Sequence, residues 1–356
     1  MPVFHRKDFI MKEYKSNISG SGTLALYAAA GIGLYAAAKR IYREINKFDF
    51  ADKVVIITGG ARGLGLIMAR ELASKGALLV ICSRSSEQLE SAENELTERG
   101  ANVLAVTADI SDPNDALKVV QTAVSHFGKI DVLINNAGIM LLGPQNVMDI
   151  QDYKKAMDTN FWASLYMIKA ALPYFAEQGQ GRIVNICSIG GKISVPHLLP
   201  YSVSKFAMVA LSEGLHAELK KDNIHVTTVI PNLMRTGSPR NILVKGKHES
   251  EFAWFKYADS SSLLSEDPEE SAKKIIRATE YGMNEVILTL TAKFAVAVQG
   301  IKPGLMSGIF TIANKFLPDS GAEGHNTKKG HESESDKTSG PVPSQSDIAA
   351  ILNNEM

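Results

Sequence analysis

The stretch KVVIITGGARGLG, residues 53–65, decides the fold. A short run rich in Val and Ile leads into a turn with the spacing G-x-x-x-G-x-G, and a helical pattern follows. Glycines allow a tight turn and a close approach of a pyrophosphate, while a helix N-terminus offers free N–H groups and a positive dipole end. This order predicts a dinucleotide site built from Gly59, Arg62, Gly63, Leu64 and Gly65.

Six more apolar runs follow, at residues 78–82, 102–106, 131–135, 182–187, 225–230 and 285–289. They are rich in Val and Ile and apolar on both faces, which is typical of parallel strands covered by helices. Between them lie helix signals such as Asp112-Pro113, an N-cap followed by proline, and Gly76 and Gly100 at helix ends. We predict a single α/β catalytic domain over 51–290, with a Rossmann-like, doubly wound, seven-stranded parallel sheet.

Composition excludes several classes of function. The 356 residues include 38 Lys+Arg and 38 Asp+Glu, without an aromatic-interleaved basic patch, so we expect no nucleic-acid partner. Cys82 and Cys187 lie in strand-like runs far from any CxxC spacing, which predicts reduced thiols in a reducing compartment. The eight histidines have no ligand spacing, so we expect no metal site.

The first 50 residues form an N-terminal extension in which residues 16–38 carry no charge. That length suffices for a membrane span, although Ala and Gly dominate the stretch. The favoured interpretation is a membrane anchor, and the alternatives are a helix packed on a partner subunit or a cleaved signal peptide. Lys39, Arg40 and Arg43 would place the catalytic domain on the cytoplasmic side. A soluble cytoplasmic protein is the alternative localisation.

The C-terminal part divides into two segments. Residues 291–317 are apolar with interior lysines and predict two short amphipathic helices. Covering the core or packing in a dimer is the favoured role for them, and a membrane-facing or substrate-access role is the alternative. Residues 318–356 are mostly polar, which predicts a disordered tail.

The residues at the end of the second strand indicate whether the cofactor is NAD or NADP. An acidic residue there would select NAD by binding the ribose hydroxyls, but Ser83 and Arg84 occupy this position. Guanidinium groups such as those of Arg84 and Arg62 suit a 2′-phosphate, because they are planar and donate paired hydrogen bonds. We therefore predict NADP(H), with Asp109 placed to receive the adenine amino group.

A second group of residues carries acid–base chemistry. Tyr201 and Lys205 are four residues apart in a helical pattern, which puts both side chains on one helix face. A nearby ammonium lowers a phenol's pKa, and such a phenol exchanges protons near neutral pH. Ser188 ends the fifth strand, at the sheet edge where ligands bind. Asn160 lies inside a predicted helix, where asparagine is unfavourable, which hints at a polar role.

These residues in this order resemble the short-chain dehydrogenase/reductase family over residues 51–290. The resemblance rests on the glycine turn, Asp109, the run Asn135-Asn136-Ala137-Gly138, Asn160, Ser188, Tyr201 and Lys205. The family pattern after the sixth strand is Pro-Gly followed by threonine. Here it is Pro231-Asn232 followed by Thr236, and asparagine tolerates the left-handed backbone that glycine provides.

The resemblance implies a role for each residue. Tyr201 would be the general acid in reduction, Lys205 would bind the nicotinamide ribose and lower the Tyr201 pKa, Ser188 would hold the substrate oxygen, and Asn160 would hold a water in a proton relay. It also implies cofactor contacts from Asn136, Ala137, Gly138, Pro231 and Thr236. The implied strand order is 3-2-1-4-5-6-7. Family members are commonly dimers or tetramers through the helices that carry Asn160 and Tyr201.

The substrate is predicted from a loop over residues 233–265 that contains Phe252, Trp254, Phe255 and Tyr257. Apolar lining suits a lipid-, sterol-, retinoid- or fatty-acyl-like carbonyl or secondary alcohol, although the aromatics would also serve simply to pack the loop. The alternatives are an epimerase or dehydratase on the same fold, or a catalytically inactive nucleotide-sensing or scaffolding relative.

Overall fold

Seven parallel strands form the central sheet, in the order 3-2-1-4-5-6-7 that the family resemblance implied. Strand β1 (Val54–Thr58) pairs with β2 (Leu78–Ser83) on one side and with β4 (Val132–Asn135) on the other, so the strand order changes direction across the sheet at β1. In open α/β sheets the ligand crevice lies beyond the carboxyl ends of the strands at such a switch point. The strands are β1 (Val54–Thr58), β2 (Leu78–Ser83), β3 (Asn102–Thr107), β4 (Val132–Asn135), β5 (Gly181–Ile186), β6 (Ile224–Ile230) and β7 (Glu285–Ile287).

This is a computed structural model that describes residues 47–261, 265–321, 324–338, 340 and 344–356, together with ten residues between 27 and 45. The chain divides into two compact units, Met1–Phe48 and Asp49–Met356. The ten described residues between 27 and 45 are helical and exposed. The predicted anchor over 16–38 lies largely outside the described residues.

Helices cover both faces of the sheet, as the strand–helix alternation predicts. Local signals set their ends: Asp112 accepts a hydrogen bond from the Asn114 N–H and Pro113 opens the third helix, while Gly76 and Gly100 adopt positive φ just beyond helix ends. The helices are α1 (Gly63–Ser74), α2 (Ser86–Glu98), α3 (Pro113–Phe127), α4 (Ile150–Met157), α5 (Ala163–Gln178), α6 (Leu199–Leu219), α7 (His248–Ser260), α8 (Pro268–Glu280), α9 (Leu290–Ile301), α10 (Pro303–Ala313) and α11 (Ser344–Leu352).

Two apolar clusters organise the interior. The larger one joins strand residues such as Ile56 and Leu133 to helix residues such as Phe175. A smaller cluster, which includes Phe252 and Phe255, holds α7 beyond the carboxyl ends of the strands. Apolar burial is the main favourable term in folding, so each cluster fixes its own layer. The first layer builds the sheet and the second builds a cover over its ligand edge.

The helices α9 and α10 do not cover the core, which was one of their two favoured roles; packing in a dimer stays a prediction. Only Ala292 of α9 is buried, and α10 has no buried residue. The expectation that this segment covers the core is therefore wrong, because its apolar side chains face outward. Within the described residues no single helix is both long and apolar enough to cross a membrane. The segments Leu290–Ile301 and Pro303–Phe316 reach that composition only together, with a bend of 117° between them.

The C-terminal segment also differs from the expectation of a disordered polar tail over 318–356. Lys328–Lys329 pairs antiparallel with Leu243–Val244, and α11 packs on α7. The Lys256 ammonium, only 2% exposed, lies 2.9 Å from an Asp347 carboxylate oxygen and 3.3 Å from one of Glu334. Polar composition predicted disorder because it lacks apolar side chains to bury. Here ion pairs with the catalytic domain order the described residues instead.

Candidate active site

The glycine turn between β1 and α1 forms one wall of the site. Gly59 and Gly63 adopt positive φ of 63° and 53°. A Cβ at Gly65 would overlap the Gly59 carbonyl oxygen, so the third glycine lets the helix pack against the turn. The N-terminus of α1 begins at Gly63, beside the Arg62 side chain. The turn therefore presents backbone N–H groups and a guanidinium, which together suit a phosphate.

The run after β4 is held against this turn. The Thr58 hydroxyl oxygen accepts hydrogen bonds from the backbone N–H groups of Asn136 and Ala137, at 2.9 and 3.0 Å. The Asn136 side-chain amide donates to the Thr58 carbonyl at 3.0 Å and to the Gly59 carbonyl at 3.3 Å. These bonds fix the backbone of 136–138 beside the glycine turn.

The ends of β2 and β3 form the next part of the wall. Ser83 is half-buried and Arg84 is exposed. Arg84 makes no ion pair with any residue in the described part of the chain. The Asp109 carboxylate accepts hydrogen bonds from the Ser111 backbone N–H and hydroxyl, at 3.2 and 2.7 Å. The NADP(H) prediction depends on this arrangement at the end of β2, where the Arg84 guanidinium is free and Ser83 stands in place of an acidic residue.

Tyr201 and Ser188 meet at the carboxyl end of β5. Tyr201 lies in the first turn of α6 and is 9% exposed. Burial raises the pKa of Tyr201 to about 12, and a hydrogen bond with Ser188 partly opposes that rise in pKa. The Ser188 hydroxyl oxygen also accepts a hydrogen bond from the Gly190 N–H at 3.0 Å. The phenol is therefore a neutral proton donor over the ordinary pH range.

Lys205 lies on the same helix face as Tyr201, as their spacing predicts. Its ammonium donates to the Ile186 carbonyl oxygen at 2.9 Å and lies 5.8 Å from the centre of the Tyr201 ring. Burial lowers the pKa of Lys205. Burial is the largest influence on the pKa of Tyr201 in this arrangement, and the lowering of that pKa by Lys205 stays a prediction.

Asn160 lies in a π-helical turn, Asp158–Trp162, between α4 and α5. Its amide oxygen accepts from the Ile139 N–H at 2.8 Å, and its amide nitrogen donates to the Ile139 carbonyl and the Ser204 hydroxyl at 3.0 and 2.9 Å. Asn160 thus ties the loop after β4 to α6. The predicted water contact stays a prediction.

Close approach between α6 and the turn after β5 sets the position of this helix. A Cβ at Gly191 would lie 2.5 Å from the Lys205 carbonyl oxygen and 2.9 Å from a Val209 methyl. Contacts that short require displacement of backbone, so glycine at 191 allows α6 to bring Tyr201 and Lys205 to the end of β5.

The segment after β6 closes the site. The Pro231 carbonyl accepts a hydrogen bond from the Ile189 N–H at 2.8 Å. Thr236 is 3% exposed, and its hydroxyl oxygen accepts from the Ser238 N–H at 3.2 Å. The backbone φ of Asn232 is not positive, so this turn does not use the left-handed conformation that glycine would favour.

One cavity of about 820 Å³ connects these elements. Two predicted site residues lie outside its wall: Gly65 packs beneath the glycine turn, and Asn160 is buried behind the loop after β4. The predicted residues that line the cavity are Gly59, Arg62, Gly63, Leu64, Ser83, Arg84, Asp109, Asn136, Ala137, Gly138, Ser188, Tyr201, Lys205, Pro231 and Thr236.

The predicted aromatic lining divides between the wall and the core. Trp254 and Phe255 line the cavity. Phe252 is fully buried in the smaller apolar cluster, and Tyr257 is 44% exposed. The Trp254 indole N–H donates to the Glu251 carboxylate at 2.9 Å. Two of the four aromatics are therefore positioned to contact a substrate.

Sequence patterns missed two acidic residues in the wall. Asp259 on α7 is 2% exposed, and burial raises the pKa of its carboxyl to about 8. Glu355 belongs to the C-terminal segment that was expected to be disordered, and it lines the same cavity. No local motif precedes either residue, so only the tertiary arrangement reveals them.

Comparisons with known proteins agree with this geometry. The short chain dehydrogenase family model matches residues 53–244. The chain belongs to the short-chain dehydrogenase family. Proteins of this family are oxidoreductases that act on CH–OH and C=O functions, and the seven-stranded fold of this chain is that of its relatives.

Two curated relatives illustrate the similarity. The chain is 30% identical over 301 residues to dehydrogenase/reductase SDR family member 7B of Mus musculus, covering 83% of this chain and 92% of the relative. It is 36% identical over 212 residues to 11-beta-hydroxysteroid dehydrogenase 1A of Arabidopsis thaliana. That match covers 59% of each protein, so the chain spans little more than half of the Arabidopsis relative.

Solved structures share the fold. A gluconate 5-dehydrogenase from Burkholderia cenocepacia, in complex with NADP and tartrate, superposes with a TM-score of 0.62 and 22% identity over 70% of this chain and 98% of that one. A variant actinorhodin polyketide ketoreductase with NADPH superposes with a TM-score of 0.59 and 28% identity, over 67% of this chain and 95% of that one.

Proposed function

We propose that this enzyme uses NADP(H) to interconvert a carbonyl and a secondary alcohol on a hydrophobic substrate. The observation that carries the proposal is the convergence of Tyr201, Ser188 and Lys205 with two arginines on one cavity. Acid–base groups and phosphate-binding groups on the same cavity are what a nicotinamide-dependent oxidoreductase requires.

The residues divide the proton chemistry among them. Tyr201 donates its phenolic proton to the substrate oxygen during reduction and takes a proton back during oxidation. Ser188 donates a hydrogen bond to the same oxygen and holds it beside the phenol. A phenol kept neutral by burial suits the reducing direction, because the acid form is present at every physiological pH.

The cofactor assignment depends on the donors around the glycine turn. Bound NADP(H) would supply or accept the hydride. The N-terminus of α1 and Arg62 would hold the phosphates, Arg84 would pair with the 2′-phosphate, and Lys205 would hold the nicotinamide ribose. These donors suit an anion, because Arg62 already binds a carboxylate of the chain itself at 2.6 Å. Solved relatives with NADP and NADPH also support this assignment.

The proposed substrate class depends on the apolar part of the cavity wall. Apolar residues there include Val195, Leu198, Leu233, Trp254 and Phe255. An apolar wall of this kind binds an apolar body and leaves the single polar function to Ser188 and Tyr201. A lipid-, sterol-, retinoid- or fatty-acyl-like ketone or alcohol fits that distribution.

Fluorescence titration of the full-length protein with NADPH and NADH tests the cofactor proposal. We expect NADPH to bind more tightly, and Arg84→Ala to weaken NADPH by about tenfold, one charge-assisted hydrogen bond, without affecting NADH. Arg99→Ala is the control, since Arg99 is an exposed arginine paired with Glu95 on α2. Equal affinities for both cofactors in the wild type would contradict the proposal.

A substrate panel with NADPH then tests the apolar wall. Long-chain alkyl ketones and steroid ketones should be reduced faster than sugar ketones of similar reactivity. Replacing Trp254 with Ser should raise KM for the lipophilic ketones more than for a short-chain ketone. Faster reduction of sugars than of every lipophilic ketone would contradict the substrate class.

We also propose that α9 and α10 dock on the surface of a lipid bilayer. Leu290, Phe294, Ile301 and Phe316 are each more than 70% exposed. Residues 290–316 contain three lysines and no acidic residue, which matches an anionic membrane surface. Phe310 on α10 lines the catalytic cavity, so a lipophilic substrate could pass between bilayer and site.

Flotation with vesicles tests this docking. The protein should float with vesicles that contain phosphatidylserine and less with neutral vesicles. Phe294→Ser should reduce flotation, whereas Ile150→Ser, which removes an equally exposed side chain from α4, should not. Equal losses for both variants would contradict docking through α9. Because residues 16–38 are a candidate anchor, the test is repeated on protein that begins at residue 47.

A homodimer or homotetramer remains our proposal for the assembly. Trp162, at the start of α5, and Val203 and Phe206 on α6 are each at least 40% exposed. Exposed aromatic and aliphatic groups on the helices that carry the catalytic residues suit a subunit interface. Sedimentation of Phe206→Glu against wild type tests it, with a monomeric wild type as the contradicting result.

A further inference from the structure

The last residues of the chain lie on the phosphate-binding turn. The Asn353 carbonyl accepts a hydrogen bond from the Gly63 backbone N–H at 2.9 Å, at the first residue of α1. The Glu355 carboxylate accepts one from the Arg62 guanidinium at 2.6 Å. The chain thus places a carbonyl and a carboxylate on the donors proposed to hold cofactor phosphates.

The same segment is bound on both sides of the turn. The Asn354 amide donates to the carbonyls of Ala61 and Gln88, both at 2.9 Å. The Arg70 side chain donates to the Asn353 amide oxygen at 3.0 Å and to the Leu352 carbonyl at 2.8 Å. These hydrogen bonds hold residues 352–354 in one defined position on the turn.

Contacts with the substrate side complete the arrangement. The Asn241 amide donates to the Glu355 carboxylate at 2.6 Å, and the Asn353 amide donates to the Thr236 carbonyl at 3.3 Å. A Cβ at Gly63 would overlap a Glu355 carboxylate oxygen, so the carboxylate sits directly on the helix N-terminus. Glu355 is 5% exposed and lines the catalytic cavity.

We infer that residues 352–355 are an internal competitor of the cofactor, with the Glu355 carboxylate taking the place of a phosphate on Arg62 and the N-terminus of α1. This inference rests on the proposed NADP(H) site. Two anions cannot share one guanidinium and one set of N–H groups at this distance, so the cofactor displaces the segment when it binds. The docked segment therefore lowers the apparent affinity for cofactor.

The ion pair between Arg62 and Glu355 is weak enough for a cofactor phosphate to displace the carboxylate. Burial raises the pKa of Glu355, while Arg62 and Asn241 act in the opposite direction. Desolvation of the carboxylate thus offsets much of its attraction to Arg62, as for other buried ion pairs. A phosphate with more charge and more acceptor oxygens gains more from the same donors.

NADPH titration of full-length Glu355→Gln tests the inference. Removing the charge should tighten NADPH binding by about tenfold, because one charge-assisted hydrogen bond no longer competes. Glu332→Gln is the matched control, since it removes an exposed carboxylate from the same C-terminal segment. A gain for NADPH and NADH together identifies overlap with the pyrophosphate, and a gain for NADPH alone identifies overlap with the 2′-phosphate.

Equal affinities in wild type and Glu355→Gln would overturn the inference alone, and weaker binding by the variant would show that Glu355 supports the cofactor. Absence of binding by both proteins would overturn the proposed function and this inference with it.

Hydrogen exchange in the wild type provides a measurement without substitution. The N–H groups of Asn353 and Glu355 donate to carbonyls of α11 at 3.0 and 2.9 Å. Saturating NADPH should accelerate their exchange, because the segment leaves the turn. Slower exchange with NADPH would mean that the segment closes over bound cofactor, which contradicts competition.

Discussion

The domain has two parts that are held together in different ways. Residues 49–232 and 268–288 form the sheet and its helices. Hydrogen bonds to the backbone fix the site residues there, such as the bond from the Asn136 N–H to the Thr58 hydroxyl oxygen. The described residues of 233–266 and 324–356 form a cover held by side chains far apart in sequence. The ion pair of Lys256 with Asp347 and the hydrogen bond of His197 with Glu251 are contacts of this kind.

This difference indicates that the first part performs the chemistry and that the second part controls access to the cavity. A rigid sheet edge keeps Tyr201, Ser188 and Lys205 within reach of one another. Contacts between single side chains break and reform more readily than the hydrogen-bonded strands of a buried sheet. We therefore expect changes in the first part to reduce turnover, and changes in the second to alter affinity and local opening.

Among substitutions outside the catalytic residues, the largest effect should come from Gly191→Ala. The added methyl would meet the Lys205 carbonyl oxygen at 2.5 Å and push α6 away from β5. Because a displacement of about 1 Å in a catalytic group costs about 100-fold in rate, turnover should fall by about that factor. Steady-state kinetics measure it, with NADPH affinity as the companion readout. Unchanged turnover would show that α6 has room to adapt.

A smaller effect should follow Lys256→Gln. The Asp347 and Glu334 carboxylates would lose their shared ammonium, so α11 should separate from α7 more often. Hydrogen exchange in residues 344–356 should rise by about tenfold, while the melting temperature of the domain changes little. Lys337→Gln is the control, because Lys337 is exposed and bonds only Ser250 among the described residues. A large fall in melting temperature would mean that cover and sheet unfold together.

Gly214→Ala should have the smallest effect on the protein. Gly214 is exposed on α6 and its added methyl would meet no atom within 4 Å. Alanine in a helix interior stabilises by about 0.5–1 kcal/mol relative to glycine. Thermal denaturation should show a slight rise in melting temperature with unchanged turnover. A loss of turnover like that of Gly191→Ala would contradict the steric argument for both positions.

The cofactor-free site should show no tyrosine titration near neutral pH. Burial raises the pKa of Tyr201 to about 12, so the neutral phenol persists as pH rises through the usual tyrosine value of about 10. The difference in tyrosinate absorbance between wild type and Tyr201→Phe should therefore be absent below pH of about 10. A tyrosinate signal near pH 8 would show that Lys205 controls the phenol instead.

Sequence predicted the first part well because its signals are local. The glycine turn, the strand runs and the Tyr201–Lys205 spacing each lie within a few residues, and the structure places them at one sheet edge. The cover was not predictable in the same way. Lys256 and Asp347 are 91 residues apart, and Glu355 and Arg62 are 293 apart, so no local pattern links them. Polar composition at 318–356 predicted disorder, because composition does not reveal long-range ion pairs.

The central claim is that Tyr201 supplies the proton in an NADPH-dependent reduction. Its most direct test is a comparison of wild type and Tyr201→Phe, with NADPH binding and single-turnover reduction of a lipophilic ketone measured on the same preparations. Tyr257→Phe, at a 44% exposed position on α7, is the matched control. We predict that Tyr201→Phe binds NADPH like the wild type and reduces the ketone roughly 100-fold to 10,000-fold more slowly. Reduction at the wild-type rate by Tyr201→Phe would contradict the account.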